Sequence, residues 1–250
     1  MCTSIIFIRK SDKWPIIIGS NRDEDLDRKS KLPGQHWKKS FPNIIAGKDQ
    51  RKNGAWIGIN DFGMVSLIHN RNTKNKESYN TSRGHIVLNV LKNNNIDNAI
   101  DYLSKIDPLK YNNFNLLIAC FEKCYWIKND HNNNKLIIKE LGEGLSIMTE
   151  KDLNDQNDMK IKHYFEMFSS LQVPDPSRNN WDDWANQLTN YENKALGENK
   201  TICFIDRKNN YGTKSSSLIA IPKRSSSNRK IIFKSTKNLP LSKNYTDVTI

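Results

Sequence analysis

The chain has 250 residues, 36% of them hydrophobic, and carries 39 basic against 27 acidic side chains, a net charge of +12. No run approaches the roughly 18 consecutive apolar residues of a membrane-spanning helix, so we expect no transmembrane segment, although peripheral membrane contact is compatible with the charge. The lysines are dispersed among Asn and Ser without a basic helix or interleaved aromatic residues, so we expect no nucleic-acid partner.

Short apolar runs separated by turn residues predict a mostly antiparallel sheet in the first 70 residues. The predicted strands are 5–8, 16–18, 44–46, 55–59 and 64–68. Apolar residues at helical spacing then predict two consecutive helices over 82–106, and the pair Asp107-Pro108 ends them.

The second half of the chain repeats this order. Strands are predicted at 114–120, 124–128 and 136–139, helices around 161–168 and 181–188, and final strands at 201–205, 217–221 and 230–233. Helices in pairs between runs of strands indicate two sheets with a helical layer outside each, an α+β fold. Without an internal repeat or hinge-like linker, we expect one domain over residues 1–250.

Cys2 is the first candidate for chemistry, because it directly follows the initiator Met1 and precedes a strand. Removal of Met1 would give one residue both a thiol and an α-amine, whose pKa of about 7.7 to 8.0 suits it to take the thiol proton near neutral pH. Any Met-Cys start satisfies this requirement, so the pattern alone is weak.

The segment Asn21-Arg22-Asp23-Glu24 follows the second predicted strand. Antiparallel pairing of the first two strands returns the chain toward residue 2. Because this polar cluster ends the second strand, we expect it to lie near the Cys2 amine. Asp23 is the candidate for holding that amine. The alternative is a solvated turn of mixed charge.

Weaker candidates lie elsewhere in the chain. Asn70 follows a strand and could offer its amide to an oxyanion. Trp56 is most simply a buried residue after a hairpin turn, and the segment 211–217 is either an anion-binding loop or a Ser-rich turn. Zinc binding by Cys120, Cys124 and His131 lacks a second ligand pair, so we expect buried thiols and no metal site.

Motifs spread along nearly the whole chain resemble those of the NRDE family, also called the transport and Golgi organisation protein 2 family. They are Met1-Cys2, Asn21-Arg22-Asp23-Glu24, Ala46-Gly47-Lys48-Asp49, Asn53-Gly54-Ala55-Trp56-Ile57-Gly58-Ile59, Ser82-Arg83-Gly84, Tyr111-Asn112-Asn113-Phe114-Asn115-Leu116 and Tyr211-Gly212-Thr213-Lys214-Ser215-Ser216.

The resemblance implies a four-layer αββα sandwich of the N-terminal-nucleophile hydrolase type. It also implies catalytic roles for three residues: Cys2 as nucleophile, Asp23 as the group that holds the amine, and Asn70 as an oxyanion amide. We assign substrate or ligand binding to five further residues, namely Asn21, Arg22, Trp56, Thr213 and Ser215.

At two positions the sequence departs from the motifs of the family and of the related cysteine amidohydrolases, and both bear on hydrolytic activity. Ser20 stands where the related amidohydrolases carry Arg, and Ile147 stands where the family carries Asn, so a second oxyanion amide is missing. Loss of one such donor typically costs about 3 to 4 kcal/mol of transition-state stabilisation.

The family resemblance implies a trafficking or chaperone role for haem or a similar amphipathic, acyl-CoA-like metabolite. The alternative is a cysteine amidohydrolase that cleaves a small-molecule amide with Cys2. The five histidines form no haem-attachment motif, and no cofactor is expected for the chemistry. No basic, signal-like region precedes the first apolar run, so we expect a cytoplasmic location, or a mitochondrial or organelle-associated one in a eukaryote.

Overall fold

A computed structural model of the chain describes residues 2–71, 81–121, 123–131, 134–191, 196–197, 200–225, 230–237 and 241–248. The chain divides into two compact units. The first contains Met1–Arg28 and Glu143–Thr249, and the second contains Lys29–Gly142. The prediction of one domain over residues 1–250 stays a prediction.

Fourteen strands and four α-helices form the described structure. The strands are β1 (Thr3–Ile8), β2 (Ile16–Asp25), β3 (Ser30–Gly34), β4 (Ile44–Asp49), β5 (Ala55–Asn60), β6 (Met64–Asn70), β7 (Phe114–Cys120), β8 (Lys123–Asn129), β9 (Ile137–Glu140), β10 (Gly144–Met148), β11 (Ile205–Asp206), β12 (Tyr211–Ile221), β13 (Ile232–Lys237) and β14 (Thr246–Asp247). The helices are α1 (Gly84–Leu91), α2 (Ile96–Ser104), α3 (Met159–Ser170) and α4 (Asp182–Leu188).

The first unit contains an antiparallel sheet in the order β10-β1-β2-β12-β13-β14, with β11 paired to β12. Alternate residues of these strands, among them Ile5, Ile17 and Leu218, pack against side chains of α3 and α4 in one core. Trp184 of α4 and Tyr164 of α3 are fully buried there. One face of the sheet is therefore covered by helices.

The second unit contains an antiparallel sheet in the order β3-β4-β5-β6-β7-β8-β9. Its core joins alternate residues of β6 and β7 to the apolar faces of α1 and α2, with Val87 and Leu103 fully buried. Asn95 caps α2, because its side chain accepts a hydrogen bond from the Asn98 amide. Each sheet thus carries two helices, as the element order predicts.

The observed elements differ from the predicted ones at the polar segments. β2 does not end before Asn21 but runs through Asp25, because β12 pairs with it along its whole length, whereas β1 pairs with it only as far as Asn21. β12 begins at Tyr211, so the segment predicted as an anion-binding loop or turn is strand. The strand predicted at 201–205 is reduced to the short β11. None of the described helices is long and apolar enough to cross a membrane.

Candidate active site

The central strand β2 is fixed to helix α4 by two neighbouring residues. A Cβ at Gly19 would lie 2.8 Å from Leu188 Cδ1, so only glycine lets α4 approach this closely. Asn21 Nδ2 then donates hydrogen bonds to the carbonyl oxygens of Leu188, at 2.7 Å, and Ile202, at 2.9 Å. Asn21 is 1% exposed, which favours a positioning role, and its predicted contact with ligand stays a prediction.

Cys2 lies beside Asp23, as the pairing of the first two strands predicts. Thr3 pairs with Asn21 in the β1–β2 register, so the residue before Thr3 reaches the next residues of β2. The Asp23 amide donates to Cys2 Sγ at 3.3 Å, and Cys2 Sγ donates to the Asp23 carbonyl oxygen at 3.5 Å. The thiol is therefore held against the main chain of Asp23, while Met1 lies outside the described residues.

The surroundings of Cys2 favour the neutral thiol. Burial and, next, the negative charge of Asp23 raise the pKa of Cys2 from 9.0 to about 11, against the weaker opposing effects of the Asp23 main-chain hydrogen bond and of the Arg22 guanidinium. Cys2 is nevertheless partly exposed, whereas Cys120, Cys124 and Cys203 are buried. Burial also raises the pKa of Cys203 to about 12. Cys2 is thus the most exposed of the four cysteine residues.

Tyr211 is a site residue that the sequence analysis missed. Its hydroxyl donates to the Asp23 carbonyl oxygen at 3.1 Å, the same oxygen that faces the Cys2 thiol. Burial, followed by the nearby Cys2 and Asp23, raises the pKa of Tyr211. The sequence marked Tyr211 only as the first residue of the segment 211–217 and of the family motif, and neither indicated this contact.

Charged residues continue along β2 beyond Asp23. Glu24 Oε2 lies 3.3 Å from Arg22 Nη2 and 3.4 Å from Arg28 Nη1, so one carboxylate bridges two guanidinium groups. Lys214 sits at an irregularity in the β2–β12 register, and its ammonium donates to the main-chain carbonyls of Asp25, Leu26 and Arg28. Burial, followed by the charge of Arg22, lowers the pKa of Lys214. These contacts fix the end of β2 in place.

Thr213 and Ser215 of β12 lie next to β2 at this point. Thr213 pairs with Asp23, and Ser215 pairs with Arg22. Both side chains are buried, and Thr213 Oγ1 accepts a hydrogen bond from the Phe204 amide at 3.1 Å. The structure brings both residues to the Cys2 region, and their predicted contact with ligand stays a prediction.

Ser20 and Ile147, the two residues that depart from the related motifs, have ordinary structural surroundings. Ser20 accepts a hydrogen bond from the Ser4 hydroxyl at 2.8 Å, and both are buried. Ile147 pairs with Ile5 and contributes its side chain to the core beneath the helices. An apolar residue therefore suits position 147.

Asn70 and Trp56 belong to the second unit. Asn70 is the last residue of β6, where it pairs with Phe114 and is exposed. Trp56 lies in β5, and its indole occupies the space beside Gly47, where a Cβ would come within 2.3 Å of the ring. Their predicted roles, as oxyanion amide and as ligand contact, stay predictions.

Side chains that commonly bind metals form no cluster in the described part of the chain. It contains no group of three or more His, Cys, Asp or Glu side chains that could hold a metal ion. The imidazoles of His36 and His131 lie within hydrogen-bond distance of the main-chain oxygens of Leu32 and Tyr111, at 2.7 Å and 2.8 Å.

Comparison with solved structures shows the fold. The chain is similar to an N-acylethanolamine-hydrolyzing acid amidase ortholog from Caenorhabditis elegans, with a TM-score of 0.59, 14% identity, and coverage of 91% of this chain and 96% of that one. Penicillin V acylase from Agrobacterium tumefaciens gives a TM-score of 0.53 at 13% identity over 95% of this chain and 83% of that one. A mutant conjugated bile acid hydrolase from Clostridium perfringens gives 0.53 at 11% identity over 99% and 92%. The predicted α+β fold class, of the N-terminal-nucleophile hydrolase type, is confirmed.

Comparison of sequences shows the family. The mouse (Mus musculus) protein "Transport and Golgi organization 2 homolog" is 29% identical over 111 residues, which cover 42% of this chain and 39% of the mouse protein. The matched segment is thus well under half the length of that relative. The family described as "Transport and Golgi organisation 2" matches residues 1–233. The chain therefore belongs to the transport and Golgi organisation 2 family.

Proposed function

We propose that this protein hydrolyses the amide bond of a small molecule, with Cys2 as the nucleophile. The proposal depends mainly on one observation, the hydrogen bond of 3.3 Å from the Asp23 amide to Cys2 Sγ. This contact fixes the thiol of the most exposed cysteine residue at a defined place next to the buried residue Asp23. The fold supports the proposal, because the printed names of the similar structures describe an amidase, an acylase and a hydrolase.

The reaction requires a free α-amine on Cys2, and hence removal of Met1. The amine takes the thiol proton, and the sulfur attacks the carbonyl carbon of the substrate as its C=O electron pair moves to oxygen. Collapse of this intermediate breaks the C–N bond, and the leaving amine takes the proton from the α-ammonium. Water then hydrolyses the thioester, which releases the acid and restores the thiol. The Asp23 carboxylate holds the α-ammonium. The Tyr211 hydroxyl orients the main-chain carbonyl of Asp23, which lies beside the sulfur.

Freeing the amine also makes the thiol more reactive. With residue 1 still attached, burial and Asp23 keep the pKa of Cys2 near 11, so little thiolate exists at neutral pH. A positive α-ammonium on the same residue favours the thiolate and lowers this pKa. Processing at Met1 would therefore act as the activation step.

The test compares the processed and unprocessed chains. Intact mass measures the loss of Met1, and iodoacetamide followed by peptide mapping measures which thiol reacts. We expect faster labelling of Cys2 in the processed chain, and release of amine from a panel of N-acyl amides that Cys2→Ala abolishes and Cys203→Ala retains. Labelling of Cys2 no faster than that of the buried cysteines, or hydrolysis that persists in Cys2→Ala, contradicts the proposal.

The raised pKa of Cys2 favours a second candidate, in which the same scaffold binds a ligand without cleaving it. A neutral thiol is a poor nucleophile, and the family description refers to transport, which together favour a carrier for haem or an acyl-CoA-like amphipathic metabolite. Haemin added to the purified protein should then give a saturable change in the Soret band that Cys2→Ala leaves intact. A change that does not saturate counts against haem as cargo.

A further inference from the structure

A cluster of cations lies at one end of β3 and β4 in the second unit. Residues 29–52 contain seven basic side chains and one acidic side chain, against a net charge of +12 for the whole chain. Half of the net charge therefore comes from these 24 residues. Five of the cations, here called the basic face, are Lys29, Lys31, Lys48, Arg51 and Lys52.

The strand register brings the basic face together. Lys31 of β3 pairs directly with Lys48 of β4. The Gln50 amide donates to the Lys29 carbonyl oxygen at 3.1 Å, so the turn that carries Arg51 and Lys52 lies beside the start of β3. Lysines directly opposite each other on adjacent strands repel and destabilise the sheet.

Within the described ranges, acidic side chains do not neutralise this charge. Asp49, the single acidic residue of the segment, is 8% exposed, and its carboxylate oxygens accept hydrogen bonds from the Arg51 and Lys52 amides. Among the residues that the structure describes, no cation of the basic face forms an ion pair. Lys48 instead lies over the Trp37 ring, with Nζ 5.4 Å from the ring centroid. An anion from outside the chain would relieve this repulsion.

One exposed aliphatic side chain lies next to the basic face. Leu32, next to Lys31 on the edge strand β3, is 37% exposed, whereas Trp37 is 8% exposed beneath Lys48. Single-stranded nucleic acid is bound by exposed aromatic rings on which bases stack. An exposed leucine among lysines suits a bilayer interface, where lysine heads meet phosphate groups and an apolar side chain enters the acyl boundary.

We propose that the basic face docks the protein on a membrane surface that contains anionic phospholipid. The interaction is peripheral and electrostatic, and it is independent of the chemistry at Cys2. Each lysine or arginine near such a surface contributes about a fivefold gain in binding.

The test is co-sedimentation of the full chain with vesicles in about 0.1 M salt, where charges interact over about 10 Å. Vesicles of phosphatidylcholine alone are compared with vesicles in which about a third of the lipid is phosphatidylserine. We expect partition onto the anionic vesicles only. The triple variant Lys31→Gln/Arg51→Gln/Lys52→Gln should bind on the order of 100-fold more weakly.

A matched control variant distinguishes the effect of the basic face on binding from the effect of the overall charge. Lys162→Gln/Lys208→Gln/Lys243→Gln removes three exposed lysines of the first unit, and should bind much like the unchanged chain. Lys31→Arg/Lys52→Arg keeps the charge and should also retain binding. Equal losses in the two triple variants, no partition onto anionic vesicles, or tighter binding to an RNA homopolymer than to vesicles would each overturn the proposal.

Discussion

The negative charge of Asp23 is the second cause, after burial, of the raised pKa of Cys2, so replacing Asp23 with Asn should have two opposite effects. The pKa of Cys2 lies about two units above its ordinary value of 9.0, with burial as the first cause and Asp23 as the second. Asparagine keeps the shape and removes the charge. We expect it to lower the pKa of Cys2 by on the order of one unit, which gives about ten times more thiolate well below the pKa.

The assay is the rate of iodoacetamide labelling of Cys2 between pH 7 and pH 10 in the chain that retains Met1. The control variant is Asp12→Asn, which makes the same charge change at the surface. Labelling should speed up about tenfold in Asp23→Asn, whereas amide hydrolysis by the processed chain should fall, because the carboxylate no longer holds the α-ammonium. An unchanged or slower labelling rate in Asp23→Asn would refute the electrostatic account of this site.

Three further substitutions test the packing around β2. Gly19→Ala should lower the free energy of unfolding by about 1 to 3 kcal/mol in urea denaturation, because its Cβ would lie 2.8 Å from Leu188. Asn21→Ala should cost about 2 to 4 kcal/mol in the same measurement, since two buried carbonyls lose their donor. Tyr211→Phe should raise the pKa of Cys2 in the labelling profile and leave unfolding nearly unchanged, because the Asp23 carbonyl then accepts from the thiol alone.

The apolar part of the fold was predictable because it follows local periodicity. The strands β6 and β7 and the helices α1 and α2 were predicted close to their observed positions, since their buried residues recur at spacings of two or about 3.6. The edge strand β3 has the sequence SKLPG, in which Pro and Gly mask any alternation. It exists because β4 pairs with it.

The candidate site was predictable only where its contacts follow from local sequence patterns. The hairpin of β1 and β2 brings Cys2 to Asp23 through a short connection, which the sequence indicates. Tyr211 reaches the same carbonyl from 188 residues away, and Leu188 accepts from Asn21 across 167 residues. Contacts of that separation depend on the whole sheet and leave no local pattern.

The position of β2 between β1 and β12 has a consequence for thermal behaviour. Because β1 and β12 pair with both edges of β2 as far as Asn21, the amides of residues 19–21 should exchange with deuterium only through global opening of the sheet. Heating would then leave the reactive centre assembled until the entire first unit melts. Catalytic inactivation and the cooperative calorimetric transition should coincide.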